Sequence, residues 1–441
     1  MFVLAIWPLF EQLLAFAVGT TDQALAGRFP DPDLRLHALD AIAIAAYLNW
    51  LLMIVQGAVG TGGLALVARA TGAGDHGLAR RALGQALLLG TSVGLVVAVL
   101  AEATLPLLLG VFRMQAETEA LATTFLRILA LTGPFSGFIF AGNACLRGTG
   151  DMRSTFLIMS VVNVSNIVLS STFTLGPAPL GGHGVAGLAT GTCLAWIIGA
   201  CLLAWRLLAA KHEFRLETKN LRPERETLSR IVRVSIPSAV EVLGMWCINA
   251  WLLRVVTGLP QAAAPGAHML ALRAEGLSFL PGFAIGAASA TLAGQYLGLG
   301  DAARAREAVR TAWIAGALLM SSVGLLFLAI PGTLIALIVP DSPLHVQLAS
   351  PLLRLAGWTQ PLLATTLILK TTFRGTGDAK AVMRYSYGSM ILFRLFGAWA
   401  AGAWLAGGLF WIWVCMAADV ATQAVVFSRR FFKGEWLKVK V

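Results

Sequence analysis

The stretches "CLRGTGDMRSTF" (Cys145–Phe156) and "TFRGTGDAKAVM" (Thr372–Met383) write Arg-Gly-Thr-Gly-Asp twice in one chain, 227 residues apart. A second pair keeps nearly the same spacing. "ATGAGDHGLARRA" from Ala70 answers "YLGLGDAARAREA" from Tyr296 at an offset of 226, and Pro134 and Pro8 answer Pro361 and Pro237. Four landmarks spread over the length agree within three residues, so the chain is a duplicated unit. Each turn has a mechanical reading. Gly148 and Gly150, and Gly375 and Gly377 in the copy, permit a tight turn between helices, and Asp151 or Asp378 can cap the helix that follows. Arg147 and Arg374 stand at helix C-termini, where a cation suits the helix dipole. A phosphate cradle needs a GxxxxGK[ST] or GxGxxG context, which neither copy has.

The solvent of this fold is a bilayer. The chain is 57% hydrophobic and 12% charged, with a mean hydropathy of +0.77, whereas soluble domains carry about a quarter charged residues. Twelve apolar segments reach the roughly 20 residues that a spanning helix needs. They cover 3–27, 39–67, 79–111, 117–146, 153–175, 183–209, 229–256, 264–297, 304–330, 344–373, 379–403 and 408–430. The fold class expected is therefore all-α integral membrane, with twelve transmembrane helices in two six-helix repeats. An even number of spans per repeat makes the repeats parallel. Residues 1–210 form the first lobe. Residues 211–230 form a polar linker, and 231–441 form the second lobe with a short basic tail.

Of the 33 Lys and Arg, 24 fall in the termini and the loops on their side; the opposite loops hold Arg28, Arg35 and Arg113. Basic residues near helix ends stay inside, which places both termini in the cytoplasm. The net charge of +11 then needs no nucleic acid; anionic lipid at the basic tail is a modest addition. The five Cys lie within apolar spans without CxxC spacing, so neither a disulfide framework nor a metal site is expected.

An acid inside a spanning helix is a functional candidate because burying it is costly without water, a proton or a partner. Glu11, Asp22, Glu241, Glu275 and Asp419 qualify. Asp22 lies past the middle of the first span among small residues, in "GTTDQALAG". Glu11 precedes it by eleven residues, which puts both on one helix face about 20° and about 16 Å apart. That face is expected to look into the lobe, where Asp22 can load and release a proton; the alternative is a plain hydrogen bond to a neighbouring helix. Glu11 and Glu241 each follow a proline closely, and near the cytoplasmic ends both are expected to be solvated when the cavity opens inward.

The chain resembles bacterial multidrug and toxic compound extrusion (MATE) transporters, in the style of their DinF-like branch. The residues that carry this are "WPLFEQLLAFAVGTTDQALAGRF", both RGTGD turns, "NVSNIVLSSTF" and "AHMLALRAEGLSFLPGFAIGAASATLAGQYLGLGD". The resemblance implies a V-shaped pair of lobes that exports cationic and amphipathic compounds against entering H+ or Na+. It puts Asp22 on the family's first-helix aspartate, Asn166 on a fifth-helix asparagine and Thr192 on a polar sixth-helix position. Ser170 stands where an Asp is frequent, so Asp22 must act without a second carboxylate, helped by Asn163 and Asn166. Sodium-coupled members carry acids near the positions of Met245, Trp246 and Leu363. None is acidic here, and Glu241 lies about one turn earlier, which favours H+.

Glu275 matches the family's "EGLSF" pattern, which implies a cavity or lobe-closing role, while an ion pair with Arg254 is the structural alternative. Met245 and Trp246 are candidates for holding flat cationic cargo. The expected activity is a cation-coupled antiport with no cofactor beyond the coupling ion, by a monomer in the bacterial inner membrane with small amphipathic molecules and lipids as partners. A lipid-linked precursor flippase would show a more basic cavity. An integral membrane enzyme would show clustered acids, His or metal ligands.

Overall fold

The computed structural model describes residues 2–29, 32–110, 114–177, 179–209, 214–261, 263–339, 342–403 and 408–441. Arg113 and the start of the linker, 211–213, lie outside the described residues. The first half contains α1 (Phe2–Ala26), α2 (Pro32–Gly72), α3 (His76–Gly110), α4 (Ala116–Ala130), α5 (Gly133–Thr149), α6 (Met152–Leu175) and α7 (Gly184–Ala209). The second contains α8 (Arg225–Thr257), α9 (Ala264–Gly298), α10 (Ala302–Ala329), α11 (Pro331–Ile338), α12 (Pro343–Gly375), α13 (Ala379–Met390), α14 (Ala398–Ala403) and α15 (Gly408–Lys433). Among the described residues ten helices are long and apolar enough to cross a membrane, and α4 with α5 makes an eleventh, bent by 52°. The bend has a local cause: Pro134 sits in the first turn of α5, where a proline lacks its N–H and crowds the preceding carbonyl.

The span expected at 379–403 is composite. It runs as α13, a π-helical stretch over Ile391–Gly397, and α14. Between the halves, the last residues of the expected linker, 225–230, already belong to α8. By contacts the chain divides into two compact units, Met1–Leu9 with Val240–Val441, and Phe10–Ala239.

The duplication is visible in the backbone. Gly74 and Gly300 take φ of 72° and 78°, and Gly150 and Gly377 take 91° and 97°, the left-handed region open to glycine. In each turn the following aspartate N–H reaches back to a helix carbonyl: Asp75 to Ala70, Asp301 to Tyr296, Asp151 to Leu146 and Asp378 to Phe373. That pattern ends a helix abruptly while satisfying its last carbonyls. Packing repeats too, with α5 lying on α2 and α3 as α12 lies on α9 and α10.

Small residues let these helices approach backbone to backbone, as membrane interfaces commonly do. A Cβ on Gly137 of α5 would stand 2.1 Å from the Gly90 carbonyl oxygen of α3, and one on Gly94 would stand 2.0 Å from that of Gly133. Gly137→Ala must therefore push two backbones apart. We expect it to cost about 1–3 kcal/mol, read as a lowered melting temperature of the detergent-purified protein.

Candidate functional site

Each RGTGD turn is held at both of its charged ends. In the first half Arg147 Nη2 donates to Glu11 Oε1 at 2.9 Å, tying the end of α5 to α1. Asp151 caps α6 by accepting from the Ser154 N–H at 3.0 Å and also receives Arg206 Nη2 of α7 at 3.1 Å. In the second half Arg374 pairs with Glu241 of α8. Asp378 makes no side-chain cap of α13; instead it takes both Nε and Nη2 of Arg430 from α15, at 2.5 and 3.0 Å. Burial raises the Asp378 carboxyl above its usual range, against the opposing pull of Arg430. The four charges of each turn thus tie the first and last long helices of their half to the turn between its fourth and fifth spans.

The remaining motif glycines have separate duties. Gly148 lies within van der Waals reach of the α2 backbone, where a Cβ would stand 3.1 Å from the Leu64 carbonyl oxygen. Gly375 is buried in the last turn of α12. Glu11 and Glu241, expected as solvated acids, are paired, and Glu241 is completely buried with Lys370 Nζ at 2.5 Å as a further partner.

In Phe10–Ala239 the polar groups singled out from the sequence fall into a cluster on α6 and α7. Asn166 Nδ2 donates to Thr192 Oγ1 at 2.7 Å, and Thr192 and Ser170 both donate to the Leu188 carbonyl, at 3.1 and 3.2 Å. Asn163, Asn166 and Ser170 are buried. Asn163 Nδ2, Asn166 Oδ1 and Asp22 Oδ1 are each buried without a hydrogen-bond partner among the described residues. Such atoms are rare in folded proteins unless water, an ion or a ligand serves them.

Among the described residues Asp22 is not bonded to the α6–α7 cluster. Leu25 and Ala26, three and four residues past it, share an apolar cluster with Leu188 and Ala189, four and three residues before Thr192.

The other unit holds a denser network, which sequence reasoning saw only in part. Asp419 of α15 is fully buried and accepts from Ser389 Oγ at 2.5 Å, Gln423 Nε2 at 2.8 Å and Arg394 Nε at 2.6 Å. Arg394 also donates to Asn249 Oδ1 of α8 at 3.1 Å and sits in the π-helical stretch, a distortion common where a helix turns a side chain to a function. The available signal was an acid and a base in consecutive apolar spans. Glu275 is buried on α9 while Arg254 is exposed, and no ion pair joins them among the described residues. Met245 and Trp246 lie half-buried on α8.

The MatE family matches residues 9–172 and again 237–400. The chain belongs to the MatE family. It is 26% identical to the probable multidrug resistance protein NorM of Thermotoga maritima, covering 99% of this chain and 92% of that one. To the NorM of Pseudomonas aeruginosa it is 28% identical, over 97% and 87% of the two chains. Its fold is similar to that of a solved structure described as the outward-facing conformation of a multidrug resistance MATE family transporter of the MOP superfamily, with TM-score 0.90 at 20% identity, covering 99% of this chain and 96% of that one. A MOP superfamily transporter from Pyrococcus furiosus matches equally, with TM-score 0.90 at 19% identity and 99% and 96% covered. This MatE protein is thus a multi-pass, twelve-helix, two-lobe transporter and not an enzyme, and the family's two matches coincide with the duplication marked by the RGTGD turns.

Proposed function

We propose that this MatE protein is a secondary antiporter that exports cationic or amphipathic compounds by alternating access, driven by protons entering through Asp22. The observation that carries this reading is the set of unserved buried polar atoms, Asp22 Oδ1, Asn163 Nδ2 and Asn166 Oδ1, in one half of the molecule. They leave donors and acceptors for a water, a proton or a cargo group, while Thr192 fixes Asn166. Facing outward, Asp22 takes a proton and cargo leaves; facing inward, it loses the proton and cargo is readmitted. The names of the Thermotoga and Pseudomonas relatives support multidrug cargo. Protons are favoured over sodium because Met245, Trp246 and Leu363 occupy the places of acids in sodium-coupled members.

In this reading residues 1–210 and 231–441 are the two lobes, joined by a cytoplasmic linker at 211–230. Both termini are cytoplasmic, and the protein works as a monomer in the bacterial inner membrane. The test is cargo export from liposomes carrying the pure protein, with proton and sodium gradients imposed separately. A proton gradient alone is expected to drive export. Export driven by sodium alone, indifferent to pH, overturns the coupling.

A further inference from the structure

The duplication gives each half an internal control for the other. In the first half, the opening turns of α3 are covered by the chain that follows α7. Arg80 pairs with Glu217 at 3.3 Å, and Gln85 donates to the carbonyls of Asn220 and Arg222 at 2.8 and 2.7 Å. A Cβ on Gly84 would stand 2.2 Å from the Asn220 carbonyl oxygen, so the covering chain lies directly on the helix. Lys219, hydrogen-bonded to Glu217, and the nearby Arg80 and Arg215 hold the Glu217 carboxyl below its usual range; of these cations only Arg80 belongs to α3.

The same face in the second half is covered only in part: the tail after α15 reaches it at Gly434, beside Arg306, and at Leu437. By the offset of 226, Arg306 of α10 corresponds to Arg80 and Arg310 to Gly84. Both arginines are exposed, and among the described residues neither has a hydrogen bond or an ion pair. They lie one turn apart on one face, roughly 6 Å along the axis. A shallow groove of about 460 Å³ runs between them, lined also by Ala302, Ala303, Glu307 and Leu437. At Arg310 it meets a second groove of about 400 Å³ whose walls are apolar: Trp313, Ile314, Leu318 and Phe432 with Phe431 beneath. Ile314, Leu318 and Phe432 are 50%, 70% and 69% exposed. Trp313 is held in place, donating from Nε1 to Thr365 Oγ1 at 2.7 Å and meeting Phe431 edge-on at 5.6 Å.

We propose that this paired groove on α10 and α15 is a binding site for an anionic phospholipid, its phosphate between Arg306 and Arg310 and an acyl chain along Trp313, Ile314, Leu318 and Phe432. Guanidinium groups match phosphate oxygens with paired N–H donors, and the occupant must be anionic and apolar at once because the two grooves share Arg310. The lipid phosphate would give Arg306 the anionic partner that Arg80 has in Glu217. Glu307 at the wall of the first groove opposes an anion, so the preference rests on the two arginines.

The test uses the full chain in phosphatidylcholine vesicles containing a minor fraction of either brominated phosphatidylglycerol or brominated phosphatidylcholine. Bromine quenches nearby indoles, and subtracting the signal of Trp313→Phe isolates the quenching at Trp313. Phosphatidylglycerol is expected to quench Trp313 at lower mole fraction than phosphatidylcholine, by roughly fivefold for each arginine. Arg306→Gln with Arg310→Gln is expected to abolish that preference, leaving quenching by phosphatidylcholine and the melting temperature unchanged. Equal quenching by both lipids in the wild-type protein overturns the proposal, as does a preference that survives in the double variant. Neither outcome depends on the antiport reading, since no transport is measured.

Discussion

Asp22→Asn is expected to bring cargo export to background while the protein remains folded in the membrane. The substitution keeps size and shape and removes only the capacity to exchange a proton. Asp22 Oδ1 has no hydrogen-bond partner among the described residues, so the carboxylate holds no neighbouring helix through that oxygen. A neutral amide is less costly to bury than an unpaired carboxylate, so the melting temperature should be unchanged or higher. Loss of export with retained stability separates a coupling group from a structural one. A lowered melting temperature, or export that still needs a proton gradient, sinks the assignment. Cargo binding in detergent should persist but lose its dependence on pH, because the competing proton has no other carboxylate in this polar group: position 170 is serine.

Glu241→Gln is expected to have the largest effect on stability. Glu241 is wholly buried between Lys370, at 2.5 Å, and Arg374, themselves mostly shielded from solvent. Removing one member of a buried pair leaves an uncompensated charge and typically costs about 3–5 kcal/mol, and here two cations lose their counter-charge. The expected readouts are a strongly depressed melting temperature and poor yield. Glu11→Gln, the same change in the other half, should be milder. Among the described residues Glu11 serves only Arg147, whose side chain is 26% exposed and can turn to water. The residue answering Lys370 at the offset of 227 is Asn143, which adds no charge. Combining Glu241→Gln with Lys370→Met and Arg374→Met should recover much of the loss, because an apolar replacement of a whole buried cluster is often nearly neutral. Equal melting temperatures for Glu11→Gln and Glu241→Gln would refute this account.

The duplicated architecture was legible because its signals are local. Apolar length marks a span, basic loops mark a side, and a glycine that must take a left-handed conformation marks a turn wherever the chain is read. Gly150 and Gly377, named from the sequence, adopt that conformation. Pro134 was visible as a landmark, but the bend that it accompanies was not, since a helix tolerates proline within its first turn. The π-helical stretch was invisible for a related reason: "ILFRLFG" has no composition that separates it from an ordinary apolar helix.

For the polar chemistry the division falls elsewhere. Residue type and position in an apolar span were enough to name Asp22, Glu11, Glu241, Glu275 and Asp419, because the cost of burying a carboxylate depends on its surroundings being lipid or protein and not on which neighbour it finds. The identity of that neighbour belongs to the tertiary structure. Glu11 meets Arg147, 136 residues away, and Glu241 meets Arg374, 133 residues away. Charge and register alone left both free. The sequence by itself determined the spans, the repeat and the set of buried acids. Only the packed helices decided that four of the charges at each RGTGD turn neutralise one another, that Arg394 closes on Asp419, and that Asp22 keeps an oxygen unserved, because an ion pair forms or fails on a few ångströms that chain distance does not encode.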